Sequence, residues 1–204
     1  MQKNVLKKFP AKATIKVLTI IIAVGLLVVA LALIYCSRVH KIDNLSSLGL
    51  AKAYSAFASG YQQAGIALLD EVIAKYPKTS AAYQAKLSRA DIFAELQSYD
   101  EALNILKETE SKAKPEAIRA LALSRIIYVY DSKKDYFNAI MASKEFIDKY
   151  PDHFLIRDIY LNLAEYYLAA GSKDEAVKTF NEALISFPAT QEAEKAQKRI
   201  NDIK

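Results

Sequence analysis

Nineteen consecutive positions, Val17 to Tyr35 (VLTIIIAVGLLVVALALIY), carry no charge, and Thr19 and the terminal Tyr35 are the only polar members of the run. At the helical rise of about 1.5 Å per residue such a run spans roughly 28 Å, close to the hydrocarbon thickness of a bilayer. The pattern predicts a transmembrane helix over 17–35. Gly25 costs little there, because no water competes for the backbone groups of a helix in lipid, and Tyr35 falls where an interfacial aromatic would. From about Asn44 onward the pattern changes. Apolar residues recur at i, i+3, i+4 and i+7, as in Leu68, Leu69, Val72 and Ile73, or Phe180, Ala183, Leu184 and Phe187, which predicts amphipathic helices.

These helices repeat. Pro77, Pro115, Pro151 and Pro188 are spaced by 38, 36 and 37 residues. In step with them run Tyr61 to Ala64, Tyr99 to Ala102, Tyr136 to Ala139 and Lys173 to Ala176, and an aromatic series of Tyr54, Phe93, Tyr130 and Tyr167. A fixed period of this length marks stacked units that bury their apolar faces against one another. Each unit holds two antiparallel helices, in the pairs 45–59 with 62–76, 78–96 with 99–113, 115–132 with 135–150, and 152–170 with 173–187. Small residues at the start of each second helix face Ala51, Ala90 and Ala164 of the first helices. Asp100, Asp135 and Asp174 are placed to cap second helices, and each Pro suits the first turn of the helix that follows it. A polar helix within 189–204 caps the stack.

The Leu, small residue and aromatic of the first helix, the Tyr-x-x-Ala of the second and the closing Pro resemble the tetratricopeptide repeat. The fourth unit matches best, with Leu163, Ala164, Tyr167, Ala176, Phe180, Ala183 and Pro188; Arg89 stands where a Leu is usual, and Ile127 replaces a small residue. The resemblance implies an all-α chain: an N-terminal transmembrane helix, then an α-solenoid of four helix pairs over 45–77, 78–114, 115–151 and 152–188. One membrane helix followed by about four such repeats is similar to the YfgM-type ancillary subunits of the Sec translocon. In the repeat family, ligand contacts concentrate one residue after the small position of the first helix and a turn to either side. Carried over, that implies a partner-binding groove at Lys52, Asp91, Tyr128 and Glu165, with Glu95, Asp131, Leu161 and Leu168 beside them, and with Leu87 and Ser124 nearby.

Charge decides what the two parts can do. The chain has 28 Lys plus Arg and 23 Asp plus Glu, but no acidic residue precedes Asp43, while seven basic residues fall in the first 41. The rest is slightly acidic, so nucleic acid is not an expected partner. Five Lys before the apolar run, against Arg38 and Lys41 after it, put segment 1–16 in the cytoplasm; with 36–43 as a linker, domain 44–204 lies outside, in a bacterium in the periplasm. The only A-x-A, Ala30 to Ala32, lies inside the apolar run, which favours an uncleaved anchor. Cys36 follows Leu33, Ile34 and Tyr35 rather than the small residue of a lipobox. With His40 and His153 as the only histidines and five scattered glycines, the sequence offers no catalytic, metal or cofactor constellation. The expectation is a non-enzymatic adaptor in the inner membrane, binding translocon components or client polypeptides. The alternative is a structural envelope-assembly factor, in a lipoprotein form if Cys36 is acylated.

Overall fold

The structure, a computed structural model, describes residues 11–203, and these are all-helical: α1 (Ala11–Ala58), α2 (Gln62–Lys75), α3 (Ser80–Glu95), α4 (Tyr99–Lys112), α5 (Glu116–Ser132), α6 (Tyr136–Lys149), α7 (Ile156–Ala169), α8 (Lys173–Ser186) and α9 (Gln191–Ile203). Lys3, Lys7 and Lys8 of the expected cytoplasmic segment lie outside the described residues. The chain divides into two units, Met1–Leu45 and Ser46–Lys204.

In the first unit the large apolar side chains from Leu18 to Ile34 are all exposed on the helix surface. The linker expected at 36–43 is helical instead and belongs to α1, so one element stands where an anchor, a linker and a first repeat helix were expected. The physical reason is composition: neither Gly nor Pro occurs between Gly25 and Gly49, and nothing there breaks the backbone hydrogen-bond ladder.

In the second unit each helix packs on the next from α2 to α9, and first helices of successive pairs also meet, α3 with α5 and α7 with α9. The second helices begin at Gln62, Tyr99, Tyr136 and Lys173, 37 residues apart. The turn before each one carries a left-handed residue, Gly60, Gln97, Lys134 and Gly171, again 37 apart. This turn, which lets two helices reverse within a few residues, keeps a stricter period than the prolines. Only Pro115 adjoins the helix after it, as the N-cap of α5. Pro77, Pro151 and Pro188 sit in turns, so α3 and α7 begin at Ser80 and Ile156 rather than at 78 and 152. Of the expected caps, Asp135 accepts a bond from Asn138 N (3.2 Å). Asp100 and Asp174 fall inside the first turns of α4 and α8, where a carboxylate still favours the positive helix end. The connectors supply their own caps: Thr79 accepts from Ala82 N and Thr190 from Ala193 N, both at 3.2 Å.

The first repeat departs from the expected register. The buried small residues of the second helices are Gly65, Ala102, Ala139 and Ala176, whereas Ala64 is exposed. In the first helices Ala53, Ala90, Ile127 and Ala164 are buried, and Ala51 is exposed. The position of Phe93, Tyr130 and Tyr167 is taken by Ala56, and the aromatic follows one residue later as Phe57. Its ring lies against Gly65 so closely that a Cβ there would stand 2.6 Å from it. The one-residue shift of the aromatic thus accounts for Gly where the other repeats have Ala. Tyr54, the aromatic expected in this core, is 45% exposed.

Arg89 is explained by a charge exchange between repeats. Lys107 stands over the Tyr130 ring (5.6 Å) and Lys144 over the Tyr167 ring (5.4 Å). One repeat earlier the position of these lysines holds Asp70, which pairs with Arg89 Nε at 2.8 Å, and the Arg89 guanidinium lies 4.7 Å from the Phe93 ring. A cation meets each of these three aromatics, supplied by the second helix twice and by the first helix once.

Candidate functional site

The 37-residue register puts Tyr54, Asp91, Tyr128 and Glu165 at equivalent positions of the first helices α1, α3, α5 and α7. Of the residues expected in the groove, Asp91, Tyr128 and Glu165 hold these equivalent positions. Lys52 is not: it is exposed on α1, two residues away from the equivalent position, because the register of the first repeat was set on Ala51 instead of Ala53.

Thirty-four residues after each of these positions, on the next first helix, stand Ser88, Arg125, Asn162 and Arg199. The pairs form a ladder that runs across the repeats. Tyr54 Oη and Ser88 Oγ are hydrogen-bonded at 2.9 Å. Arg125 Nε donates to both carboxylate oxygens of Asp91, at 2.9 and 3.1 Å. Arg199 donates through Nε and Nη2 to the two oxygens of Glu165, at 2.5 and 2.7 Å, a two-pronged geometry that fixes orientation as well as distance. Through this rung α9 takes the place of the first helix of a fifth repeat, while Ala196 and Ile200 pack against Phe180 and Ala183.

The third rung is open. Tyr128 is 60% exposed, Asn162 is exposed as well, and neither makes a hydrogen bond to any described residue. α5 and α7 pack less closely than α3 with α5 or α7 with α9, and they meet one turn beyond this rung, where the Tyr166 hydroxyl of α7 reaches the Asp131 carboxyl of α5. Before α7, residues 151–155 form turns, and His153 Nδ1 accepts from Leu155 N at 3.3 Å.

The other expected groove residues divide by burial. Glu95 is exposed, one turn beyond Asp91. Asp131 is half-buried one turn beyond Tyr128; burial pushes its carboxyl above the usual carboxylate range, and the Tyr166 hydroxyl pulls partly back. Burial first, then the neighbouring Asp131, pushes the Tyr166 phenol strongly up. Leu161 and Leu168 are half-buried against the core around Ala164, and Leu87 is buried outright, so it offers no surface to a ligand. Ser124 Oγ is spent on Leu121 O at 2.9 Å. A cavity of about 540 Å³ borders the ladder beside Asp158, Asn162, Glu165, Lys195 and Arg199. Another, of about 680 Å³, opens elsewhere, between α4, α5 and α6 around Lys107, Tyr130, Met141 and Lys144. Among the described residues no group of three or more His, Cys, Asp or Glu is placed to hold a metal ion. The sequence reading missed Tyr54, Ser88, Arg125, Asn162 and Arg199; the signal was present in Arg125 and Arg199, which follow Asp91 and Glu165 by the same interval.

The repeat fold has counterparts among known proteins. Among solved structures, the chain is similar to a tetratricopeptide-repeat protein from Parabacteroides merdae (TM-score 0.63, 14% identity, covering 78% of this chain and 59% of that one). It is similar also to a Podosopora anserina protein with nearly identical TPR-like repeats (TM-score 0.61, 15% identity, 79% and 85% covered). MamA aligns over 75% of each chain at 21% identity and a TM-score of 0.56. At such identities the likeness is one of fold, a helical-repeat solenoid. No curated protein matches the sequence. A family model described as tetratricopeptide repeat matches residues 50–122 and 144–193, and a second of the same description matches 121–153. On that coverage, the chain belongs to the tetratricopeptide-repeat family, whose members are typically non-enzymatic adaptors that bind other proteins.

Proposed function

We propose that this protein is a membrane-anchored adaptor. On this reading α1 crosses the bacterial inner membrane through residues 17–35, with the Lys-rich segment before it in the cytoplasm. The repeats face the periplasm, and their first-helix face receives a partner or client polypeptide beside the secretion machinery. The observation that carries the reading is that face: four equivalent positions in one register, of which Tyr128 is left exposed without a polar partner. The anchor is supported by the charge asymmetry and by the exposed apolar side chains from Leu18 to Ile34, which need a cover other than water. Tethering raises the local concentration of the face near a membrane partner, so modest contacts suffice for recruitment.

The test is purification of the full chain from membranes in mild detergent. Co-purification with translocon subunits is the expected result. Association only with outer-membrane or cell-wall assembly proteins would overturn the secretion assignment and favour the envelope-assembly role.

A further inference from the structure

We propose that α9 is an exchangeable cap: two copies of this chain pair by each placing its α9 on the α7–α8 end of the other, with the connector 187–190 as the hinge. The partner is a second copy, joined by the swap of one helix.

The hinge is strained. Two connectors share a length and a bonding plan, Tyr76–Thr79 before α3 and Phe187–Thr190 before α9. In each the Thr hydroxyl donates to the carbonyl three residues back, Thr79 to Tyr76 O (3.0 Å) and Thr190 to Phe187 O (2.8 Å). In each it also accepts from the helix that follows, from Ala82 N and from Ala193 N, both at 3.2 Å. Yet Ala189 is left-handed, at φ 60°, while its counterpart Lys78 is not. Gly60, Gln97, Lys134 and Gly171 have their positive φ in the turn inside each repeat, and Ala189 is the one left-handed described residue outside that series. After Pro188 such a conformation is where Gly is usual, and Ala holds it at a steric cost. The cap does not require that cost, since Thr79 makes the same bonds without it. An extended connector, as an exchanged helix needs, releases it.

α9 is also lightly held. It packs on α8 and α7 and buries Ala193, Ala196 and Ile200, whereas α7 buries Ile156, Ile159, Leu163, Ala164, Tyr166 and Tyr167. Its polar hold on α7 is the Arg199–Glu165 pair, about two-fifths exposed on both sides. A helix held by so little opens at low cost. What it covers cannot stay bare: Ala164, Phe180 and Ala183 are buried beneath it, with Leu161, Leu168 and Leu184 at the margin. The cover that fits has Ala, Ala and Ile at i, i+3 and i+7 and an Arg opposite Glu165, and the α9 of another copy is identical in all of these. Exchange therefore joins two copies through contacts that the single chain already makes.

Charge reversal separates exchange from any other association. Arg199→Glu sets two carboxylates against each other within its own chain, and Glu165→Arg two guanidiniums. Mixed, the two variants regain both opposite-charge pairs, but only where each chain's α9 sits on the other chain. Full-length chains in dodecyl maltoside are incubated separately and together, and amide exchange is followed over 191–203. Mixing is expected to slow exchange there about threefold or more relative to either variant alone, with two chains per micelle by light scattering. Ala189→Gly, which relieves the strain without opening the hinge, is expected to lower the dimer fraction of the otherwise unaltered chain. Ala189→Pro, which cannot take a positive φ, is expected to raise it. Exchange in the mixture as fast as in the separate variants overturns the proposal, even if the two chains co-elute. So does a dimer fraction that is the same with Ala, Gly and Pro at position 189.

Discussion

Gly65 and Phe57 show how one substitution inside a repeat is answered by another. Exchanging Gly for Ala within a helix usually stabilises by about 1 kcal/mol. Here the added Cβ would meet the Phe57 ring at 2.6 Å, and such overpacking costs about 1–3 kcal/mol. Gly65→Ala is therefore expected to lower thermal stability, and in a Phe57→Ala background the same change is expected to raise it; a double-mutant cycle reads the reversal. Asp131 gives a pH signature. Its carboxyl is pushed up by burial, so the charged form is held at a cost in the fold at neutral pH, and the cost fades as pH falls through the raised value toward the ordinary one. Asp131→Asn is accordingly expected to melt higher than the parent at about pH 7 and equally near pH 3.5, as measured by circular dichroism. At this scale the sequence was legible where a residue obeyed the period, as with Ala102, Ala139 and Ala176. It misled in the first repeat, where the aromatic shifts one residue to Phe57 and Tyr54 imitates a core aromatic while standing exposed. Periodicity records which position carries an aromatic, but which neighbour fills the core depends on the partner helix.

Among the elements, the second helices were placed to within a residue or two, because tight turns leave little freedom in their starts. The first helices were less legible. Their starts follow connectors of unequal length, and the Pro in each connector reports the turn rather than the helix. The continuity of α1 through 36–43 was hidden because polar residues after an apolar run read as a linker, although nothing in them stops a helix. The inter-repeat ladder was harder to see, since its partners lie 34 residues apart and only two of its four positions, Asp91 with Arg125 and Glu165 with Arg199, repeat a charge pair. Its last rung is testable as an element contact. Arg199→Glu is expected to loosen α9, seen as faster amide exchange over 191–203, because two carboxylates would then face each other. Adding Glu165→Arg is expected to restore protection by reversing the pair. Both side chains are about two-fifths exposed, so the coupling is expected to be no more than about 1 kcal/mol. If the double variant exchanges as fast as the single one, the rung does not hold the cap.

For the molecule as a whole, the composition averages two different objects. The excess of positive charge belongs to the first 41 residues and bears on orientation in a membrane, while the slightly acidic remainder folds into repeats. The repeats bury small and aromatic residues for the sake of their period, which is why most tyrosines serve packing. Along the first-helix face this leaves an exposed phenol at Tyr128 and an exposed carboxamide at Asn162. That this face receives another protein is the central claim, and site-specific photocrosslinking in intact cells tests it most directly. A benzophenone amino acid at position 128 is expected to yield a discrete adduct with a partner protein. The same group at Phe137, an exposed position on second helix α6, is expected to yield none. Equal adducts from both positions, or adducts from 137 alone, would contradict the claim.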